Sequence, residues 1–173
     1  MRGSFFPGMP FNQQVSFPCE LNLHTTPDGP RIYRRPIKEL EKLQGKPQSW
    51  SAKTVSEGET LSLVSKGDLY RLKAEVEIPE GANLIVSLRG ESVVLSSNGL
   101  VSGEAAGKTQ GGVRNIDILL DRASIEAFVN DGELSSTRYV LPRSNGIFLK
   151  ADGGSVKIRS LTLWPLKSIW ASR

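Results

Sequence analysis

Apolar and polar residues alternate with a period of two along most of this chain. That is the pattern of strands with one buried and one wet face. The first run is residues 15–23, VSFPCELNL, where Val15, Phe17, Cys19, Leu21 and Leu23 are all apolar. It predicts a strand whose odd-numbered face is buried. Pro18 lacks a backbone donor and points to an edge position. Pro27, Asp28 and Gly29 form a turn signal, and residues 31–34 (RIYR) can return as the hairpin partner. One segment reads as a short helix. Ile37, Leu40 and Leu43 recur at three-residue spacing, Pro36 suits a first helical position, and Gly45 and Pro47 terminate it.

From Trp50 onward strand follows strand. Leu72, Ala74, Val76 and Ile78 alternate with Arg71, Lys73, Glu75 and Glu77. Further strands are predicted over residues 60–64, 84–89, 92–96, 113–120, 124–130, 135–140, 146–150 and 155–163. Turn pairs such as Asn98-Gly99, Asp131-Gly132 and Asn145-Gly146 punctuate them. Short strands separated this way predict an all-β fold, an antiparallel sandwich or barrel, because parallel strands need helical crossovers. Val156 and Ile158 share one face while Leu161 and Leu163 share the other, so a bulge or bend is predicted near Ser160.

A length of 173 residues allows one domain plus an appendage. No apolar run approaches the roughly 20 residues of a spanning helix, so no membrane partner is expected. The net charge is +4, and the basic residues are scattered apart from Arg31, Arg34, Arg35 and Lys38. Nucleic-acid proteins concentrate such charge on one face with aromatics between, so nucleic acid is not expected as a partner either. Cys19 and His24 are the single cysteine and histidine. An intrachain disulfide is excluded, no His/Cys zinc site or nucleophilic triad is supported, and no metal or cofactor is expected. The first residues, MRGSFFPGMPF, carry no long apolar stretch or evident cleavage site, so no signal peptide is legible and no compartment is assigned.

Three stretches together resemble one family. Residues 8–21 (GMPFNQQVSFPCEL) are similar to the end of the catalytic domain of glycoside hydrolase family 32, which contains invertases, levanases and inulinases. Residues 118–133 (ILLDRASIEAFVNDGE) resemble a strand-turn-strand motif of that family's C-terminal β-sandwich, and residues 161–170 (LTLWPLKSIW) its closing strand. The resemblance implies a lectin-like (concanavalin A, jelly-roll) sandwich at residues 49–173. It further implies a linker with a short helix at 36–48, and the last strands of a propeller blade, a hairpin remnant, at 1–35. On this reading the chain starts after most of a catalytic propeller has passed. The implied parent chemistry is hydrolysis of β-fructosidic bonds in levan, inulin or sucrose.

That chemistry needs two carboxylates flanking the scissile bond, about 5–5.5 Å apart in retaining enzymes. The family's Trp-Met-Asn-Asp-Pro-like, Arg-Asp-Pro and Glu-Cys motifs are missing here. Cys19-Glu20 has the letters reversed, and Asp121-Arg122 is not followed by Pro. Asp117 and Asp121 share a strand face, but four residues of strand put them about 13 Å apart. No catalytic residue is therefore assigned. The expected role is a noncatalytic sandwich that braces the catalytic propeller, with a homo-oligomer interface as an extension of it. The alternative is a carbohydrate-binding module for fructans, and the third option is an intact small hydrolase.

Candidate ligand-binding residues are few. Trp50 and Tyr70 could offer aromatic platforms to a sugar, whose C–H face suits an aromatic face. Trp164 and Trp170 better fit the packing of the closing strand and tail. Asn130 and Asp131 could hold a hydroxyl or a cation, against the plainer reading that residues 130–132 (NDG) are a turn needing positive φ. Asp121-Arg122 reads as a turn whose Arg meets a sheet-end carbonyl or a carboxylate. Residues 5–35 are expected either to fold back on the sandwich or to mediate self-association, because a free strand edge invites pairing.

Overall fold

The computed structural model describes residues 15–63 and 66–169. The segment 5–11 and Trp170, which carry expectations above, lie outside them. A hairpin comes first, β1 (Cys19–Thr26) and β2 (Gly29–Pro36), followed by a 3₁₀ segment, Lys38–Leu43. Strands β3 (Gln48–Val55), β4 (Thr60–Leu63), β5 (Tyr70–Glu77), β6 (Asn83–Leu88), β7 (Glu91–Ser96), β8 (Gly99–Ser102) and β9 (Ala105–Lys108) come next. The chain continues through β10 (Asn115–Leu120), β11 (Ser124–Val129), β12 (Leu134–Tyr139), β13 (Ile147–Asp152) and β14 (Val156–Pro165).

The strands after the 3₁₀ segment form two six-stranded sheets, ordered β12-β11-β10-β5-β14-β3 and β4-β13-β6-β7-β8-β9. Neighbouring strands in both sheets pair antiparallel throughout, as the short punctuated strands predict. Alternation drives the packing. Leu72, Ala74, Val76, Ile118, Leu161 and Leu163 from one sheet meet Leu84, Val86, Leu95 and Leu149 from the other in a single core. At roughly 1.5–3 kcal/mol per fully buried large apolar side chain, this layer is the main source of stability.

Two changes of phase are resolved by backbone irregularities. In β14 the register against β5 shifts between Ile158 and Ser160, so Arg159 is the extra residue and the apolar face switches there. The bulge turns Arg159 outward, where its guanidinium binds the Glu77 carboxylate, with Lys157 3.7 Å from the same group. The other irregularity is the predicted helix, which forms as a 3₁₀ turn. With three residues per turn, Ile37, Leu40 and Leu43 fall in one line. Leu40 is buried and the other two pack beside it. Pro36 is not its first residue; it ends β2, and Ile37 precedes the turn in extended conformation. Gly45 is set by close approach: its N–H donates to the Pro165 carbonyl at 2.8 Å, and a Cβ would meet the Pro165 ring at 3.2 Å.

Strands β3, β8 and β9 were not among the predicted ones. β3 is an edge strand with five exposed residues, and β8 and β9 are four residues each and contain Gly. The first strand starts at Cys19 rather than Val15, and the odd-numbered face of this run is covered only in part, at Phe17 and Cys19. Leu21, Leu23 and Ile32 are 66%, 74% and 63% exposed. Leu23 and Ile32 sit opposite each other, so these side chains form a stripe on one face of the hairpin.

The hydrogen bond from Arg159, and then its charge, hold the Glu77 carboxyl below the usual carboxylate range. A depressed folded pKa contributes stability above the unfolded value, near pH 4.3, and loses it as pH falls through the folded value. Glu77→Gln is therefore expected to melt below the wild type at pH 7, with the gap closing in acid. Thermal melts across pH check this, and a gap independent of pH would refute it.

Candidate functional site

The outward face of the β12-β11-β10-β5-β14 sheet is not uniformly wet. Cross-strand pairing sets its side chains in rows about 4.8 Å apart between neighbours. One row runs Trp164, Arg71, Leu119, Glu126, Thr137. The next runs Thr162, Lys73, Asp117, Phe128, Ser135. Leu119 and Phe128 are apolar residues on a face expected to be polar, and both are buried, with Leu40 of the 3₁₀ segment packed on them. Phe17, Cys19, Ile37, Leu43 and Leu166 surround this second, smaller core. The N-terminal segment thus folds back over one half of the sheet.

Glu126 lies at the centre of the covered half. Its side chain is 0% exposed. One oxygen, Oε1, accepts the Phe17 N–H at 2.6 Å. The other, Oε2, accepts from Arg34 Nη2 at 2.6 Å and from the Thr137 hydroxyl at 3.2 Å. The same Arg34 nitrogen also donates to Thr137 Oγ1 at 3.0 Å, and the guanidinium carbon stands 5.5 Å from the Phe128 ring centroid. A carboxylate removed from water needs this degree of compensation.

The turn at residues 130–132 completes the seam. Asn130, Asp131 and Gly132 all have positive φ, at 50°, 56° and 93°. At Gly132 an added Cβ would lie 2.0 Å from the Arg34 carbonyl oxygen, so glycine is required by both backbone conformation and contact. Arg34 therefore meets the sandwich through its guanidinium and its backbone. The hairpin tip makes a third contact, where Gln110 Nε2 donates to Asp28 Oδ2 at 2.7 Å. The linker is tied to the closing strand as well, with Lys167 N–H donating to the Leu43 carbonyl at 2.8 Å.

The sequence candidates fall elsewhere. Tyr70 is 3% exposed in the core between the sheets, which leaves no open ring face, and burial pushes its hydroxyl pKa upward. Trp50 is half-buried on β3, opposite Leu161 and packed on the core. Asn130 is buried and its amide is fully engaged. Oδ1 accepts the Arg114 N–H at 2.9 Å, and Nδ2 donates to the Gly112 carbonyl at 2.7 Å and to Glu133 Oε2 at 2.9 Å. Asp131 is exposed beside a groove, and its N–H donates to Asn115 Oδ1 at 3.2 Å. Arg122 binds Asp68 Oδ2 at 3.0 Å, so it meets a carboxylate as expected. Among the described residues no group of three or more His, Cys, Asp or Glu is placed to hold a metal ion. Sequence reasoning missed Glu126 and Arg71, both buried on the outward face. The signal that could have found them is Phe128, an aromatic in the polar phase of its strand.

Known proteins resemble this chain in both sequence and fold. Residues 89–165 match the model described as glycosyl hydrolases family 32 C terminal. A levanase of Bacillus subtilis (strain 168) is 30% identical over 196 residues, spanning 96% of this chain and 29% of the levanase. A sucrose-6-phosphate hydrolase of Klebsiella pneumoniae is 30% identical over 112 residues, spanning 62% of this chain and 23% of that protein. The crystal structure of exo-inulinase from Aspergillus awamori superposes with a TM-score of 0.80 at 20% identity, over 97% of this chain and 38% of its own. At that identity the superposition speaks for the fold. The chain spans less than a third of the length of either curated relative.

Arg34→Ala leaves the buried Glu126 carboxylate without its cation and is expected to lower unfolding stability by about 3 kcal/mol. Gly132→Ala forces the hairpin away from the turn without touching the inter-sheet core. Hydrogen exchange of the β1 and β2 amides should quicken in both variants while β6 and β13 stay protected. Uniform acceleration across both sheets would show that the seam is not a separate unit.

Proposed function

This chain carries the C-terminal β-sandwich region of glycoside hydrolase family 32, and from that premise we propose that it braces a catalytic propeller rather than performing catalysis. In this proposal residues 1–35 belong to the last propeller blade, residues 36–48 are the linker, and residues 49–173 are the sandwich. The parent activity is hydrolysis of β-fructosidic bonds in levan, inulin or sucrose, and the catalytic propeller is the partner. The observation that carries this reading is the seam. Glu126, Phe128 and Gly132 lie within residues 89–165, the part that matches the family. Their partners Phe17 and Arg34 lie well before it. The matched region therefore grips the segment assigned to the blade through a buried ion pair, a required glycine and a small apolar core.

The hairpin stripe of Leu21, Leu23 and Ile32 is the surface that the rest of the blade would cover. A two-stranded hairpin is marginal alone, and its exposed apolar face gains about 25 cal/mol per Å² when covered. In the isolated chain the same stripe supplies a surface for homo-oligomer formation.

Two outcomes are expected. The 173-residue chain alone releases no fructose from levan, inulin or sucrose. In the enzyme joined to it, Arg34→Ala lowers the midpoint of thermal inactivation with KM unchanged. Fructose release by the chain alone, or an unchanged midpoint, would remove the bracing role. For self-association, the sedimentation mass of the isolated chain should rise with concentration, and Leu23→Lys should return it to the monomer. A concentration-independent monomer for the wild type would refute that part.

A further inference from the structure

Two Asn-Gly pairs, Asn98-Gly99 and Asn145-Gly146, are turn signals in the sequence, and the fold treats them differently. Asn98 sits in the two-residue turn between β7 and β8. Gly99 is buried in β8 and pairs with Ser96 across that turn. The Asn98 carbonyl accepts the Thr109 N–H at 2.8 Å and its hydroxyl at 3.3 Å. A Cβ on Gly99 would meet Ser96 Oγ at 3.0 Å and the Gly107 carbonyl at 3.1 Å, so this peptide is enclosed. Asn145 is exposed in the connection between β12 and β13, and Gly146 directly precedes β13. Neither residue has positive φ, so the pair does not form the tight turn that usually accounts for this dipeptide. A Cβ on Gly146 would meet only the Phe148 ring, at 3.6 Å. Backbone conformation and contact therefore leave the glycine unexplained.

The backbone on either side of Asn145 is tied to one residue. Arg89 and Gly90 form the turn between β6 and β7, at φ 54° and 91°. The Arg89 N–H donates to the Gly146 carbonyl at 2.8 Å, and its carbonyl accepts the N–H groups of Arg143 and Ser144 at 2.9 and 3.2 Å. These bonds straddle Asn145. They also hold Arg89 in the left-handed region, which a non-glycine residue occupies only when its surroundings impose it.

We propose that Asn145 is a site of spontaneous deamidation and that its isoaspartate product releases the Arg89 turn. The Gly146 nitrogen attacks the side-chain carbonyl carbon of Asn145. The N–Cγ bond forms, the Cγ–Nδ2 bond breaks, and ammonia leaves with the proton shed by the attacking nitrogen, closing a succinimide ring. Water then opens the ring. Attack at Cγ restores the ordinary backbone with an aspartate side chain. Attack at the main-chain carbonyl carbon leaves the chain running through Cγ as isoaspartate, one carbon longer. Nothing is oxidised or reduced, and water is the only co-reactant. Glycine favours ring closure because no Cβ crowds the attacking nitrogen and its backbone turns freely. At Asn98 the same step would pull Gly99 out of its strand pairing. Both products add a negative charge, but only isoaspartate lengthens the path between the Ser144 N–H and the Gly146 carbonyl. The two bonds to Arg89 then no longer fit together.

The test is ageing of the full 173-residue chain in mildly alkaline buffer, followed by peptide mapping that separates isoaspartate from aspartate. In the folded chain Asn145 should convert about tenfold faster than Asn98. In concentrated urea the two rates should converge, since glycine follows both. Equal rates in the folded chain, or an intact Asn145 where the unfolded chain converts, would overturn the proposal. Gly146→Ala should slow the loss of Asn145 about tenfold with the melting temperature held, and an unchanged rate would overturn the assigned nucleophile. Hydrogen exchange reads the release. In the isoaspartate form the Arg89 amide should exchange faster while Leu84 and Val86 stay protected. Asn145→Asp carries the charge on an ordinary backbone and should leave Arg89 protected. Fast exchange at Arg89 in that variant, or slow exchange in the isoaspartate form, would overturn the role of the added carbon.

Discussion

The structure outside the inter-sheet core depends on one buried carboxylate. Glu126 projects from the outward side of β11, where a glutamate would ordinarily be solvated, yet it has no exposed surface. Burying that charge uncompensated would cost several kcal/mol or more. The sheet supplies only the Thr137 hydroxyl. The remaining partners, the Phe17 N–H and the Arg34 guanidinium, come from the N-terminal segment. The sandwich thus carries a group that its own strands cannot satisfy. Folding of the outward face and docking of the hairpin are coupled through it, and an ion pair of this kind specifies register more than it adds net stability.

Around that pair, ordinary packing does the rest. Leu119 and Phe128 flank the carboxylate, and the 3₁₀ turn lowers Leu40 onto them. Gly132 lets the hairpin backbone come closer than any side chain would allow. The polarity of the face changes across β10. Toward β12 it is covered and partly apolar; toward β14 it is open, charged and hydroxylated. Arg71 and Asp117 sit on the boundary, their paired charges sharing the edge of the covered zone and the end of the groove. One sheet face therefore serves two surfaces, a dry seam and a wet groove.

How far this was legible in the sequence depends on where each partner lies. The inward faces of β5, β10 and β14 could be read directly, because Leu72, Ala74 and Val76, or Leu161 and Leu163, declare themselves by alternation. The bulge at Arg159 was visible as a phase change. The residues 130–132 turn was visible as chemistry, and its three positive φ angles follow from it. The seam was not, since Arg34 reaches Glu126 across 92 residues and alternation says only that Glu126 points outward. The aromatic candidates were ambiguous for the same reason. Tyr70 and Trp50 carry rings suited equally to a sugar or to a core, and only the fold decides between them. The spacing of Ile37, Leu40 and Leu43 suggested a helix, but a strict period of three belongs to the 3₁₀ form.

The direction of support within this molecule follows from the distribution of buried surface. The sandwich has an inter-sheet core that includes no residue of the hairpin. The hairpin has no enclosed core of its own: two strands, a stripe of exposed Leu and Ile, and a stacked His24–Tyr33 pair with ring centroids 4.0 Å apart. Its order is therefore conferred by the seam, from Arg34, Phe17 and the glycine at 132, more than by its own pairing. A sandwich that holds two strands in place also fixes the orientation of the stripe they present. Any sheet built onto that stripe inherits its position from the sandwich.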